Sequence, residues 1–323
     1  MIRGFAADHG QLRALEDAPA HVADVIWFDL SQPTSDERAQ VEAALGLEIP
    51  TREDMLEIEI SSRLYYAEGA AFMTANLPAR TDADDMEMSP VTFVLAGDRL
   101  VTIRYHEPRA FQTFPQRAAK ISLGCTNGEA VLVTLLEAIV DRLADVLERV
   151  QRDIDALSRS IFRHPGAEVD ETRDLQDLLR QIGRKGDLTS NIRDSLVTLQ
   201  RLTGFLGQVT TQRRSDKNIR NRVKTLARDT HSLTDHSGFL AQKITFLLDA
   251  TLGVINIEQN AIIKIFSVAA VVFLPPTLIA SIYGMNFTHM PELTWPFGYP
   301  FALAVMVLSA ILPYWFFKRR GWL

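Results

Sequence analysis

The chain has 323 residues, which is enough for a soluble domain of ordinary size and a second part. Its formal net charge is −6, and beyond Lys264 it has only one acidic and three basic side chains, so residues 1–264 carry −8. This acidic balance argues against nucleic acid as a partner and is compatible with cations, although it could equally serve only to keep a large domain soluble.

Cysteine usage and the N-terminal residues indicate a cytosolic location for the first part of the chain. The single cysteine, Cys125, cannot form an internal disulfide, which excludes a disulfide scaffold and favours a reducing compartment. Residues 1–17 lack the apolar core of a signal peptide. We therefore expect the chain to remain in the cytosol until its C-terminal part.

Residues 1–125 are predicted to form an α/β domain. Segments rich in β-branched and aromatic residues predict strands at Val22–Leu30, Ser62–Leu77, Val91–Asp98 and Arg99–His106. Turns are expected at Glu68-Gly69 and Gly97-Asp98. Helical spacing over Thr34–Leu45 predicts a helix with Thr34 or Ser35 as its N-terminal cap.

Residues 126–264 are predicted to form a helical domain and a stalk. Apolar residues recur at helical spacing from Asn127 to a break at His164-Pro165-Gly166, and a second helical stretch starts near Val169. The polar cluster Gln212–Asn218 is the best candidate for a turn. Further turns are expected at glycines in the same stretch, namely Gly183, Gly186, Gly204 and Gly207.

One continuous helix is predicted from Asp216 to Gly284, because nothing forces a break before the pair Pro275-Pro276. A helix of ~68 residues would be about 100 Å long, and a globular domain cannot bury it. Such a helix fits a stalk that runs from the cytosol into a membrane and packs on copies of itself.

Residues 265–323 are predicted to form a two-helix transmembrane domain. Ile265–Gly284 and Phe297–Phe317 contain no charged residue, and each is long enough to cross about 30 Å of hydrocarbon. Basic residues flank the pair at Lys264 and at Lys318–Arg320, whereas the connecting turn has none. The positive-inside rule therefore predicts that both termini are cytosolic.

A stripe of small, hydroxyl and amide residues runs along the first span and the helix before it. Steps of alternately four and three residues connect Asp249, Gly253, Asn256, Asn260, Ile263, Ser267, Ala270, Leu274, Thr277 and Ser281. In lipid such a face should point away from the tails, either because it packs on another helix or because it lines a pore. Two spans cannot enclose a pore, so the second interpretation requires an oligomer with the first span innermost.

The C-terminal part of the chain resembles the CorA magnesium transporters. The resemblance rests on INIEQNAIIKIFSVAAVVFLPPTLIASIYGMNF from Ile255, followed by MPEL, GYP and FKRRGWL. The triplet Gly284-Met285-Asn286 is the signature of that family, and here it ends the first of two C-terminal spans. The resemblance is close over residues 250–323 and weaker in FDLSQPTSDER (28–38) and RLVTIRYHEPRAF (99–111).

The resemblance implies an α+β membrane protein, a funnel-shaped homopentamer in the bacterial inner membrane whose first spans line the pore. It implies Mg²⁺ influx, with Co²⁺ and Ni²⁺ as further ions, driven by the membrane potential and gated by cytosolic Mg²⁺. The partners are then the lipid bilayer and divalent cations, and Mg²⁺ is both transported and regulatory. It implies no organic cofactor.

The resemblance also assigns roles to residues. Gly284, Met285 and Asn286 are the selectivity filter, with Asn286 as the ring that first receives the hydrated ion. The Thr277 side chains of all subunits would form a ring of hydroxyl groups in the pore, and the Leu274 side chains would form a hydrophobic constriction. The other pore-lining candidates are Asp249, Asn260, Ile263, Ser267, Ala270 and Ser281. Glu292 is the remaining outer carboxylate, because Thr288 follows the motif where relatives often have an acidic residue.

Regulatory Mg²⁺ binding in this family uses cytosolic carboxylates on neighbouring subunits. The position that aligns with one stalk partner is Thr225, so another carboxylate is expected to substitute. The candidates are Asp229, one turn further on, and the acidic run Asp82, Asp84, Asp85 and Glu87.

Two other functions compete with this interpretation. A Zn²⁺ transporter of the related ZntB branch would share the fold, but Zn²⁺ favours His and Cys, and only His289 at the mouth is of that kind. A membrane-anchored coiled-coil scaffold explains the long helix and the spans but not the stripe or the triplet. An enzyme is the least favoured, because the sequence has no phosphate-binding loop and no HxxxH pair. His231 and Asp235 are interpreted as a solvated pair, and Cys125 as a packed thiol.

Overall fold

The computed structural model describes residues 1–16, 23–82, 86–162, 171–285, 290–291 and 295–321, with the side chains of 171–174 excepted. The chain divides into two compact units, Met1–Leu248 and Asp249–Leu323. The first unit contains a mixed sheet and several helices, and the second contains apolar helical segments. The threefold division at residues 125 and 264 stays a prediction.

A seven-stranded sheet forms the centre of the first unit. Its strands are β1 (Ile2–Asp8), β2 (Gln11–Leu15), β3 (Val25–Ser31), β4 (Leu64–Ala67), β5 (Ala70–Ala79), β6 (Glu87–Ala96) and β7 (Arg99–Arg104). The strand order is β2-β1-β3-β7-β6-β5-β4, and only the β3–β7 pair is parallel. All four predicted strand segments are confirmed, one of them as the β4–β5 hairpin.

Tight turns at the predicted positions join these strands. Gly69 between β4 and β5 has a φ of +76°, and Gly97 between β6 and β7 has a φ of +53°. Glycine adopts this left-handed region without steric cost, which is why it suits a two-residue hairpin turn. The β1–β2 hairpin, which turns at His9-Gly10, was missed because β1 contains only one β-branched residue, Ile2.

The described helices account for most of the remaining chain. They are α1 (Ser35–Leu45), α2 (Arg52–Leu56), α3 (Ile60–Arg63), α4 (Arg109–Ala118), α5 (Gly128–Phe162), α6 (Glu171–Gln212), α7 (Lys217–Tyr283) and α8 (Gly298–Arg319). Helix α1 begins as predicted with Thr34 as its cap. The Thr34 hydroxyl accepts from the Glu37 amide at 3.2 Å, and the Glu37 carboxylate accepts from the Thr34 amide at 2.9 Å.

Helix α6 corrects one prediction. Gly183, Gly186, Gly204 and Gly207 were expected at turns, but all four lie inside this helix. A glycine in a helix costs about 1 kcal/mol relative to alanine, whereas each fully buried leucine contributes about 1.5–3 kcal/mol. Because α6 has fully buried apolar residues at helical spacing, such as Leu196, Leu199 and Leu206, packing outweighs the glycines.

The predicted turn at Gln212–Asn218 and the predicted long helix are both confirmed. Helix α6 ends at Gln212, and α7 then continues for 67 residues to Tyr283, through Pro275 and Pro276. The predicted start of the earlier helix near Val169 lies outside the described residues.

A buried ion pair ties β3 to β7. Asp29 and Arg104 are both 0% exposed, and the Arg104 Nε and Nη2 atoms donate to the Asp29 carboxylate at 3.1 and 3.0 Å. The Thr102 hydroxyl donates to the same carboxylate at 2.9 Å, and Arg3 donates at 2.7 Å. The Asp29 carboxylate and the Arg104 guanidinium both need these partners, because an unpaired charge in the core would strongly destabilise the fold.

We expect Asp29→Ala to lower the free energy of unfolding by about 3–5 kcal/mol, because the buried Arg104 would lose both hydrogen bonds to Asp29 and keep only the partly exposed Glu107 as an acidic partner. The measurement is the thermal unfolding midpoint of the full chain in detergent. Asp177→Ala is the control, since its ion pair with Arg180 is exposed at 2.9 Å and its loss should leave the midpoint nearly unchanged. Equal midpoints for the two variants would contradict a core role for Asp29.

Candidate functional site

The second unit contains two segments that are long and apolar enough to cross a membrane, one in α7 and one in α8. In the most apolar stretch of α7 no residue is buried, and in that of α8 only 6% are. Large side chains such as Phe273 (70% exposed) and Leu278 (62% exposed) point outwards. Exposure of so much apolar surface is unfavourable in water and suits hydrocarbon. The two predicted spans coincide with these segments.

The predicted stripe lies on an uncovered face of α7. Gly253 is half-buried, and all other members of the stripe are exposed: Asp249, Asn256, Asn260, Ile263, Ser267, Ala270, Leu274, Thr277 and Ser281. Half-buried residues of α7 recur at helical spacing elsewhere, at Val268, Val272, Pro275, Ile279 and Tyr283. On α8 the covered residues follow a matching pattern, at Ala302, Val305, Ser309 and Pro313. We infer that the two helices cover each other on these faces and leave the stripe free.

The hydroxyl groups of the stripe present oxygen atoms outwards. The Ser267 hydroxyl donates to the Ile263 carbonyl at 2.7 Å, and the Thr277 hydroxyl donates to the Phe273 carbonyl at 2.7 Å. Each hydroxyl hydrogen is therefore used within the helix, while the oxygen lone pairs remain available. Such groups accept hydrogen bonds from water or from a hydrated ion.

The proline pair changes the hydrogen bonding of α7 inside the span. Pro275 and Pro276 lie within the helix and have no amide hydrogen, so the carbonyls of Val271 and Val272 lose their usual donors. Leu274, immediately before the pair, is 66% exposed on the stripe. This segment thus combines an exposed apolar side chain with a local weak point in the helix.

The end of α7 has a compact backbone at the signature glycine. The Gly284 amide donates to the Ala280 carbonyl at 2.9 Å, and the Met285 amide donates to the Ile282 carbonyl at 3.2 Å. A Cβ at Gly284 would lie 3.2 Å from the Ala280 carbonyl oxygen, so a side chain would be crowded there. Asn286, His289 and Glu292 lie outside the described residues.

The C-terminal end of α8 places cations over aromatic rings. The Arg319 guanidinium lies 5.2 Å from the Trp315 ring centre, and the Arg320 guanidinium lies 5.3 Å from that of Phe316. Cations at a helix C-terminus are favoured by the helix dipole, and Trp and basic residues are typical of a membrane boundary.

Asp82, one of the regulatory candidates, is held by three arginines. Arg109 Nη1 donates to its carboxylate at 2.6 Å, Arg142 Nη2 donates at 2.9 Å, and Arg149 also donates to it. The hydrogen bond from Arg149 is the largest cause that lowers the pKa of Asp82 from 3.8 to about 2. Asp84 and Asp85, in the same acidic run, lie outside the described residues.

Asp229 and Thr225 line a groove between α5 and α7 that also contains Glu137 and Asp141. Burial raises the pKa of Asp141, and the nearby carboxylates of Glu137, Asp145 and Asp229 add to the effect. Asp141 was missed by the sequence analysis. The available signal was the spacing of Glu137, Asp141 and Asp145, which puts three carboxylates on one face of α5.

Within the part of the chain that the structure describes, no group of three His, Cys, Asp or Glu side chains is close enough to hold a metal ion. Cys125 is buried, and burial raises the pKa of its thiol to about 11, so it is an unreactive packed thiol as interpreted. His231 Nε2 lies 3.7 Å from the Asp235 carboxylate, and both side chains are well exposed, as expected for a solvated pair.

Comparison with known proteins gives a consistent result over the whole chain. Residues 22–319 match the family described as CorA-like Mg²⁺ transporter protein. The magnesium transport protein CorA of Pasteurella multocida is 38% identical over 324 residues, which cover 100% of both chains.

Solved structures share the fold. The CorA magnesium transporter of Methanocaldococcus jannaschii has a TM-score of 0.69 at 20% identity and covers 100% of this chain and 99% of its own. The ZntB cytoplasmic domain of Vibrio parahaemolyticus has a TM-score of 0.53 at 10% identity and covers 79% of this chain and 97% of its own. The full-length relatives, the family match and the two apolar C-terminal segments agree, and this chain is a membrane protein that belongs to the CorA-like Mg²⁺ transporter family.

Proposed function

We propose that this protein imports Mg²⁺ through a pore lined by α7. The observation that carries the proposal is the uncovered stripe on α7, in which polar and small residues face away from the half-buried side of the helix. A polar face within hydrocarbon needs either a protein partner or water. The magnesium transport function of the full-length relatives supports the second.

The proposed assembly is a homopentamer in a bacterial inner membrane. Two spans per chain cannot enclose a pore, so several copies of α7 must surround it with α8 outside. Both termini are proposed to be cytosolic, because Lys264 and Lys318–Arg320 flank the spans and the loop between them lacks basic residues.

The proposed pore conducts an ion that keeps much of its water. Mg²⁺ sheds water reluctantly, and its bound waters are strong hydrogen-bond donors. The outward lone pairs of Ser267 and Thr277 and the amide oxygens of Asn260 and Asn286 can accept from those waters. Neutral oxygen rings bind a divalent ion weakly enough to release it, as conduction requires. Leu274 then forms an apolar constriction that closes by excluding water.

The membrane potential is sufficient to drive this import. At about 2.3 kcal/mol per charge per 100 mV, a divalent cation gains about 4.6 kcal/mol on entry. Co²⁺ and Ni²⁺ are proposed as further ions of similar size. Zn²⁺ is disfavoured, because the stripe contains neither histidine nor cysteine.

Cytosolic Mg²⁺ is proposed to close the pore by neutralising carboxylates between subunits. Asp229 is the better supported candidate, since it lies beside Asp141 and no described residue forms an ion pair with it. Asp82 is less well supported, because Mg²⁺ would have to compete with three arginines. When internal Mg²⁺ is scarce, repulsion among free carboxylates should loosen the stalk.

We expect Asn286→Ala to abolish Mg²⁺ uptake, because the first ring that accepts from the waters of the ion would be lost. The measurement is uptake into liposomes with an internal Mg²⁺ dye and an imposed potential, with Zn²⁺ in parallel. Uptake of Zn²⁺ without Mg²⁺ by the wild type would contradict the proposed ion. No flux of either ion in a folded oligomer would favour a scaffold.

Thr277→Val should reduce Mg²⁺ uptake at least about fivefold, because one hydrogen bond of about 1 kcal/mol is lost from each subunit at the ring. Leu278→Val, one residue away and 62% exposed off the stripe, is the matched control and should transport normally. The same liposome assay compares them. An equal loss in both variants would mean that the stripe has no special role.

Asp229→Asn should raise the internal Mg²⁺ concentration needed to stop uptake, about twofold or more, because one regulatory charge is removed from each subunit. Liposomes loaded with graded Mg²⁺ concentrations give the inhibition curve. Asp82→Asn serves for comparison and should shift the curve less. A wild-type flux that does not respond to internal Mg²⁺ would rule out the proposed gating.

A further inference from the structure

A groove between α6 and α7 is positively charged within an acidic domain. Lys217, Arg220 and Lys224 line it from α7, and Gly204 and Gly207 line it from α6. Its volume is about 520 Å³, and none of its described lining residues is acidic. Because residues 1–264 carry −8, three cations in one groove stand out against the charge of the domain.

The three cations are in an unfavourable arrangement. No described residue forms an ion pair with Lys217, Arg220 or Lys224. Arg220 and Lys224 are four residues apart on one helix, where like charges repel. Helix α7 begins at Lys217 and has no acidic residue in its first turn, so the helix dipole also disfavours the two cations of that turn, Lys217 and Arg220. An anionic partner would relieve both effects.

The glycines of this groove leave its α6 wall open. A Cβ at Gly204 or at Gly207 would meet no atom within 4 Å, so packing inside the chain does not require glycine there. Each nevertheless costs about 1 kcal/mol in a helix interior. Bare backbone at both positions allows another polypeptide to approach α6 closely. The buried side chain of Val223 gives the groove an apolar floor.

A complementary segment lies elsewhere on the same unit, between α2 and α3. Ile58 is 86% exposed, the highest value among the exposed large apolar residues of the described chain. Leu56 and Ile60 are 56% and 52% exposed, and the exposed Glu57 and Glu59 alternate with them. The segment Leu56–Ile60 is therefore both apolar and acidic.

We propose that Leu56–Ile60 of one copy docks in the α6–α7 groove of a second copy. Glu57 and Glu59 then pair with the groove cations, and Ile58 covers the open backbone at Gly204 and Gly207. A small phosphoanion would satisfy the cations but would leave Ile58 exposed, so a second copy explains both surfaces.

Such a contact joins two different patches, and a head-to-tail interface of this kind generates a ring when its rotation closes. The inference rests on the proposed homo-oligomer and specifies one surface through which neighbouring cytosolic units touch. It adds a contact outside the membrane that involves none of the pore residues.

Cysteine cross-linking in the full-length protein tests this contact directly. The double variant Ile58→Cys with Thr211→Cys places one thiol on the segment and one on the groove wall, and the buried native Cys125 should remain silent. Oxidation of native membranes with copper phenanthroline should give a reducible ladder of dimers and larger species. Ile58→Cys with Gln112→Cys on α4, outside the groove, is the control pair and should give at least about tenfold less.

Charge reversal provides a second measurement on the same cysteine background. Arg220→Glu with Lys224→Glu should reduce cross-linking at least about tenfold, and Glu57→Lys with Glu59→Lys in the same chain should restore it. No ladder from the double-cysteine protein, with Mg²⁺ uptake intact, would overturn the docking and leave the pore proposal standing. If the second charge reversal restores cross-linking but the wild type takes up no Mg²⁺, the docking would be supported and the pore proposal rejected.

Discussion

A polar stripe on a helix that lies in hydrocarbon is the constraint on which the rest of this protein depends. Helix α7 exposes hydroxyl, amide and small side chains on one face, while its half-buried residues lie on a different face. Lipid tails cannot satisfy such groups, so the stripe must meet either protein or water. In the proposed oligomer with α7 innermost, the stripe meets water, which also accounts for its acceptor oxygen atoms.

The chemistry of the stripe suits an ion that remains hydrated. Ser267 and Thr277 use their hydrogens on backbone carbonyls of the same helix, which leaves oxygen lone pairs for water. Mg²⁺ holds its waters tightly and is better recognised through them than by direct ligation. The predicted spans contain no charged residue, so they offer no strong binding site that would retain a divalent ion. This composition agrees with conduction of the ion through the membrane.

The first unit, Met1–Leu248, combines two kinds of charge arrangement. Asp29 and Arg104 are buried and fully paired, so their charges fix the β3–β7 contact. Asp141 and Asp229 lie close together, and burial together with neighbouring carboxylates raises the pKa of Asp141. The first arrangement stabilises one structure, whereas the second is sensitive to any cation that enters. The proposed response to an internal cation needs both a rigid frame and unneutralised charge.

The sequence alone determined the long uninterrupted helix, the two spans, the turn at Gln212–Asn218 and the members of the stripe, because hydropathy and helical period depend on local order along the chain. It failed at Gly183, Gly186, Gly204 and Gly207, where buried leucines keep α6 helical, and at the first hairpin, where few β-branched residues mark the strands. Only the tertiary structure decided that three arginines hold Asp82, that Asp141 joins Asp229, and that a basic groove lies between α6 and α7. These contacts join residues far apart in sequence, and their charges act through space, which no local pattern records.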